Sequence, residues 1–271
     1  MEEVVPGLLA ERYPPAQAKF KSPLILAHGV WSGAWCWQSW ATHFCNLGWE
    51  SIAIDLRHRS AQNPMGNLDL GFSDCVRDLV QVIRSFSTPP VLLAMNLGAL
   101  MALKASEQAK PSALILVSPL PPGNLAAARS RPQRLLWLKY RLLILLRRPL
   151  RIDEKDFRAY FLTPLSENPQ STISRQTAPE SSALVREFLV PRASLDAGPL
   201  SCPILALGGS DDNITPPATT NRVTEWLGGE FREYPRQGHW LIERDSENIV
   251  RDIHRWIIQK LGEKILLAEF S

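Results

Sequence analysis

The chain has 271 residues, 45% of them hydrophobic and 21% charged, enough for one large core or one core with a small inserted subdomain, and without sign of two independent domains. Its four cysteines (Cys36, Cys45, Cys75, Cys202) show no CxxC spacing and no nearby His pair, which argues against secretion and a structural metal and leaves buried thiols in a reducing compartment. The net charge of +3 is concentrated: eight basic residues and no acidic one lie between Leu125 and Ile152, and with no stacking or groove-binding motif there, nucleic acid is not an expected partner.

The start, Met1, Glu2, Glu3, is acidic and Pro6 breaks its first apolar run, so no signal peptide is expected. The expected location is cytoplasmic, with peripheral membrane association left open. Leu24 to Ala27, between Pro23 and the pair His28 and Gly29, reads as a buried strand ending in a turn. Trp37 and Trp40 share helical spacing with Phe44 and read as core, leaving Trp31 and Trp35 as candidate pocket walls. Ser51 to Asp55 is a second strand, ending in a loop with Arg57, His58 and Arg59. Ser73 to Phe86 has helical periodicity, with Ser73 as its N-cap.

Val91 to Met95 is an apolar strand that breaks at Asn96 and passes into a helix reaching about Gln108. Small residues, Ala94 and Gly98, stand two before and two after Asn96. That is the outline of a nucleophile elbow, whose tight turn admits only small residues at those places. The residue expected at its centre is Ser. An amide yields no useful nucleophile on losing a proton, so an acyl-enzyme route is closed at Asn96. Asn does suit the backbone, because the central elbow position has strained, positive φ.

Ala113 to Val117 is the next strand, and its successor does not come until Pro203 to Leu207. The roughly 80 residues between are too many for a loop and predict a helical cap, 121–199, over a core of 1–120 and 200–271. In that cap Pro132 and Pro149 frame a helix of about 16 residues in which Arg134, Arg141 and Arg148 share one face, shorter than the roughly 20 residues of a bilayer span. Two readings of it stay open. One is a lid helix on the pocket with its arginines reaching solvent. The other is a basic, Trp-bearing surface, 129–151, resting on an anionic membrane or a protein partner. A helix at 217–227, a strand at 230–234 and a helix at 246–260 complete a series of βαβ units in a mainly parallel sheet.

Three further stretches sit at strand ends, where an open parallel sheet binds ligands. His28 and Gly29 open a turn whose N–H groups, that of Val30 above all, pair with that of Leu97 as a candidate oxyanion cradle. Asp211 and Asp212 follow one strand, and Gly238 and His239 follow the last. The order elbow, acid, His is that of one hydrolase lineage.

On these stretches the chain resembles an α/β-hydrolase of the capped esterase and lipase-like branch, over about residues 20–262. The resemblance implies an α/β fold: a mainly parallel sheet flanked by helices, with a helical cap after the strand at 113–118. It implies an oxyanion loop of His28, Gly29, Val30 and Trp31, Asn96 at the nucleophile position, and Asp212, or Asp211 beside it, orienting His239. No cofactor or metal is expected. Two departures stand out: Asn96 where the family usually has Ser, and Leu56, Arg57, His58, Arg59, Ser60 where Arg, Gly, His, Gly is usual.

Two functions follow. In the first, the chain performs no serine hydrolysis and works by binding a small apolar ligand in the capped pocket, or by docking its basic cap on a membrane or partner protein. In the second, it is an enzyme in which His239, held by Asp212, acts as general base on an ester-like substrate through water, or in lyase or isomerase chemistry. The first predicts a pocket filled by cap side chains, the second a pocket open to solvent beside His239.

Overall fold

The computed structural model describes residues 1–56, 70–126, 129–196 and 200–267; the loop of Arg57, His58, Arg59 and Ser60 lies outside the described residues. The chain enters through an antiparallel pair that the sequence pattern did not reveal, β1 (Glu2–Val5) and β2 (Leu8–Tyr13). Only Leu8 and Ala10 of β2 are buried, so its alternation is brief. Then come β3 (Leu24–Ala27), a 3-10 turn (Ala34–Trp37), α1 (Gln38–Asn46), β4 (Ser51–Asp55), α2 (Phe72–Ser85), β5 (Val91–Met95), α3 (Leu97–Ser106) and β6 (Ala113–Val117). Four helices follow: α4 (Arg131–Leu145), α5 (Glu154–Phe161), α6 (Glu167–Arg175) and α7 (Ser182–Leu189). The chain ends through β7 (Ile204–Gly209), α8 (Pro217–Trp226), β8 (Glu230–Tyr234) and α9 (Ser246–Leu261).

The strands form one sheet in the order β1-β2-β4-β3-β5-β6-β7-β8, in which β1 and β2 join antiparallel and the other strands run parallel. Every residue of β3 through β7 is buried, as strands covered by helices on both faces must be. The α/β architecture expected from the sequence is the one observed, with its helical insertion after the 113–117 strand. β4 and β5 flank β3 on opposite sides, so the direction of winding reverses there and a crevice opens at the carboxyl ends of β3 and β5.

Local details differ from expectation. Helix α2 is capped by Gly71 rather than Ser73, and the Asp74 carboxylate accepts the Gly71 N–H at 3.0 Å. The acceptor lies three residues into the helix, where it can reach back to an orphan donor. Helix α4 starts from a capping box, Ser130 N–H donating to Gln133 Oε1 at 3.0 Å, and stops at Leu145. Arg148 is therefore beyond the helix, past Arg147 with its φ of +51°, and the arginine face shrinks to Arg134 and Arg141. Cys36 and Cys75 are buried, but Cys45 and Cys202 are only half-buried because each lies near a surface loop or helix end.

Candidate active site

β5 passes into α3 through a single residue, Asn96, at φ +56° and ψ −122°, a strained conformation for a residue with a Cβ. The surroundings hold it there. Asn96 N–H donates to the Val117 carbonyl (3.0 Å), and its own carbonyl accepts from Leu120 (3.2 Å), tying the turn to the end of β6. Gly98 lies so close to the loop after β3 that a Cβ would be 2.2 Å from the His28 carbonyl oxygen, so only Gly fits.

The Asn96 side chain makes two hydrogen bonds. Its Oδ1 accepts the N–H of Leu97 at 2.6 Å, and its Nδ2 donates to His239 Nε2 at 2.6 Å. On the other side of the imidazole, Nδ1–H donates to Asp212 Oδ2 at 2.8 Å. Asp212 is fixed in turn, its Oδ1 accepting the N–H groups of Ile214 (2.8 Å) and Thr215 (2.9 Å). Asp211 points elsewhere and accepts from Ser210 Oγ. With Nδ1 donating to the carboxylate, Nε2 is left as acceptor, which is the tautomer that receives the Asn96 amide. Ser118, at the end of β6, steadies the same loop by donating its hydroxyl to the His239 carbonyl at 3.0 Å.

This row of groups is shut away from water: Asn96 is 2% exposed, Asp212 3% and His239 1%. The roof belongs to the insertion. Phe161 of α5 meets the His239 ring edge-on and packs with Phe157, Phe188 of α7 and Trp31, all buried. Just beyond α5 the Thr163 carbonyl presses on Gly238, where a Cβ would stand 1.8 Å away.

The loop after β3 serves the fold in ways its sequence did not announce. His28 donates from Nδ1 to the Gly29 carbonyl (2.8 Å) and accepts the Leu56 N–H at Nε2 (3.1 Å), so its ring holds the loop. Val30 is buried. Trp31, a candidate pocket wall, is instead the anchor of the insertion: its N–H donates to Glu180, its indole N–H to the Leu150 carbonyl, and its carbonyl accepts from Ala178. Trp35 does line a groove of about 420 Å³, where it stacks with Trp240 at 6.1 Å. Among the described residues no group of three or more His, Cys, Asp or Glu side chains is placed to hold a metal ion.

A family model described as the alpha/beta hydrolase family matches residues 24–252. The chain belongs to the α/β-hydrolase family. Among solved structures it is similar to an esterase from Exiguobacterium antarcticum, with TM-score 0.72 and 15% identity over 92% of this chain and 95% of that one. It is also similar to a monoacylglycerol lipase from Paleococcus ferrophilus (TM-score 0.71, 20% identity, 93% and 99% covered) and to MenH from S. aureus (0.72, 16%, 93% and 99%). At such identities the likeness is one of fold. No curated protein matches the chain by sequence. Three residues that shape this α/β-hydrolase site escaped sequence reasoning: Phe161, Glu180 and Phe188. Each acts through a partner far away in the chain, and none sits in a motif.

Proposed function

We propose that the protein performs no serine hydrolysis and works by binding, as an α/β-hydrolase whose nucleophile position holds Asn96 and whose reaction centre is locked by internal hydrogen bonds. The Asn96 carboxamide carries this reading. Its Oδ1 takes the Leu97 N–H that an oxyanion would need, and its Nδ2 takes the His239 lone pair that a general base would need. Releasing both costs about 1–3 kcal/mol for each buried group left without a partner. The aromatic roof adds support, since Phe161 and its neighbours fill the space over His239.

A second reading rests on the Asp212–His239 pair, whose 2.8 Å contact is that of a base and its orienting group. In that reading the Asn96 amide turns aside and His239 activates water against an ester-like carbonyl. The decisive experiment is turnover of short and medium acyl esters by the native protein, Asn96→Ser and His239→Ala in parallel. The binding reading expects a silent native protein and a gain of activity in Asn96→Ser. Native turnover abolished by His239→Ala would overturn it in favour of the second.

A further inference from the structure

Helix α4 carries two apolar stripes where a helix on a globular protein needs one. The inner stripe, Leu136, Tyr140 and Ile144 with Gln133, is buried, and Gln133 donates to the Phe188 carbonyl of α7 at 3.0 Å. The outer stripe is Leu135, Leu138, Leu142 and Leu145, spaced so that all four fall on the opposite side of the helix. They are 43%, 58%, 62% and 79% exposed. Among the described residues, every large apolar side chain left exposed lies on α4 or its cap Leu146, apart from Met1 at the chain start.

Charge surrounds this stripe. Arg134 and Arg141 flank it, Arg147 and Arg148 follow its end, and among the described residues none of these four forms an ion pair. Lys139, on the other flank, is already paired with Asp153 and Asp156. Between α4 and α7 a groove of about 860 Å³ brings Arg141, Arg147, Arg186 and Arg192 together beside Leu142 and Leu145. Guanidinium groups next to hydrocarbon match a phosphate headgroup joined to acyl chains.

We propose that α4 docks this protein on an anionic phospholipid bilayer, its outer leucine stripe entering the headgroup boundary and its arginines engaging lipid phosphates. At roughly 1.5 Å per residue the helix is about 22 Å long, too short to span a bilayer and suited to lying in its surface. Among the described residues no helix is long and apolar enough to cross a membrane. A bilayer is the occupant this surface fits, because the lining of the groove holds four arginines and Trp137 with no acidic side chain among them, beside a row of exposed leucines: positive charge and an aromatic ring over hydrocarbon, as on a helix that lies in an anionic lipid surface. The inference stands apart from the question of catalysis, since the outer stripe of α4 is exposed whereas Asn96, His239 and Asp212 are buried.

The test is sedimentation of the full chain with vesicles of equimolar phosphatidylserine and phosphatidylcholine, against vesicles of phosphatidylcholine alone. Binding to the first and not the second is expected, weakening as salt rises. The double substitution Leu138→Ser, Leu142→Ser should lower the affinity about tenfold or more, from the lost burial of two leucines. Arg134→Gln and Arg141→Gln should each lower it about fivefold at low salt. These side chains are exposed, so melting temperatures should match the native protein, and the arginine variants test the proposal independently of the leucine pair. Absence of binding to the anionic vesicles would overturn it, and so would undiminished binding by the double leucine variant. A dimer in analytical ultracentrifugation that the leucine substitutions abolish would also overturn it, by assigning the stripe to a second copy of the chain.

Discussion

The Phe161 ring, carried to the site by α5, meets the His239 imidazole edge-on with ring centroids 5.4 Å apart. A side chain of the helical insertion therefore covers the His239 ring. Phe161→Ala should cost about 3–5 kcal/mol in urea unfolding, as large-to-small changes of buried aromatics do. It should also open His239 to diethylpyrocarbonate, read by peptide mapping. If His239 in the variant reacts as slowly as in the native protein, Phe161 is not its shield.

Gly238 gives a second way to test the closure. Its neighbour across the gap is backbone, the Thr163 carbonyl, which cannot swing away as a side chain can. Gly238→Ala should destabilise by about 1–3 kcal/mol, the usual range for overpacking. Amide exchange should quicken on both sides of the contact, near Phe161 and near His239. Native stability in this variant would mean that the cap slides aside at no cost.

The sheet's centre was legible because β3, β5 and β6 are uninterrupted apolar runs buried on both faces, and the helices between them repeat at helical spacing. The first two strands were not, since Glu2, Glu3, Glu11 and Arg12 belong to a sheet edge where polar side chains meet solvent. At the site, the turn around Asn96 could be read from Ala94 and Gly98, but the direction of its amide could not. Rotation about the side-chain bonds decides whether Oδ1 faces Leu97 or His239, and only the packed neighbours fix it. The fastening of Trp31 to Glu180 joins positions 149 residues apart, beyond the reach of any local pattern.

A pH dependence should arise far from the site, at His254. Its Nδ1 accepts the Trp49 indole N–H at 3.0 Å, and burial, with smaller contributions from Lys19 and Arg255, lowers its pKa below the ordinary 6.5. The folded state then binds fewer protons than the unfolded one, so stability is complete above about pH 6.5 and falls as pH drops from there toward the folded value. His254→Gln, which keeps an acceptor for Trp49, should flatten the fall in urea stability between about pH 6.5 and 5. An unchanged slope would assign the acid sensitivity to other groups.

Glu180 should govern how firmly the cap is held. Its carboxylate is buried and accepts two backbone N–H groups, that of Trp31 at Oε2 (3.3 Å) and that of Ser181 at Oε1 (3.0 Å). Its backbone pairs in both directions with Leu150, whose carbonyl also receives the Trp31 indole. Glu180→Ala takes the carboxylate acceptor from both N–H groups, at about 1–3 kcal/mol for each one left buried without a partner. Amide exchange should then rise at Trp31 and Ser181. It should stay slow at Leu97, because the acceptor there is Asn96 Oδ1, which belongs to the core rather than the cap. Equal acceleration at all three amides would mean that the chain opens as a whole, and that the cap has no local hinge at this bond.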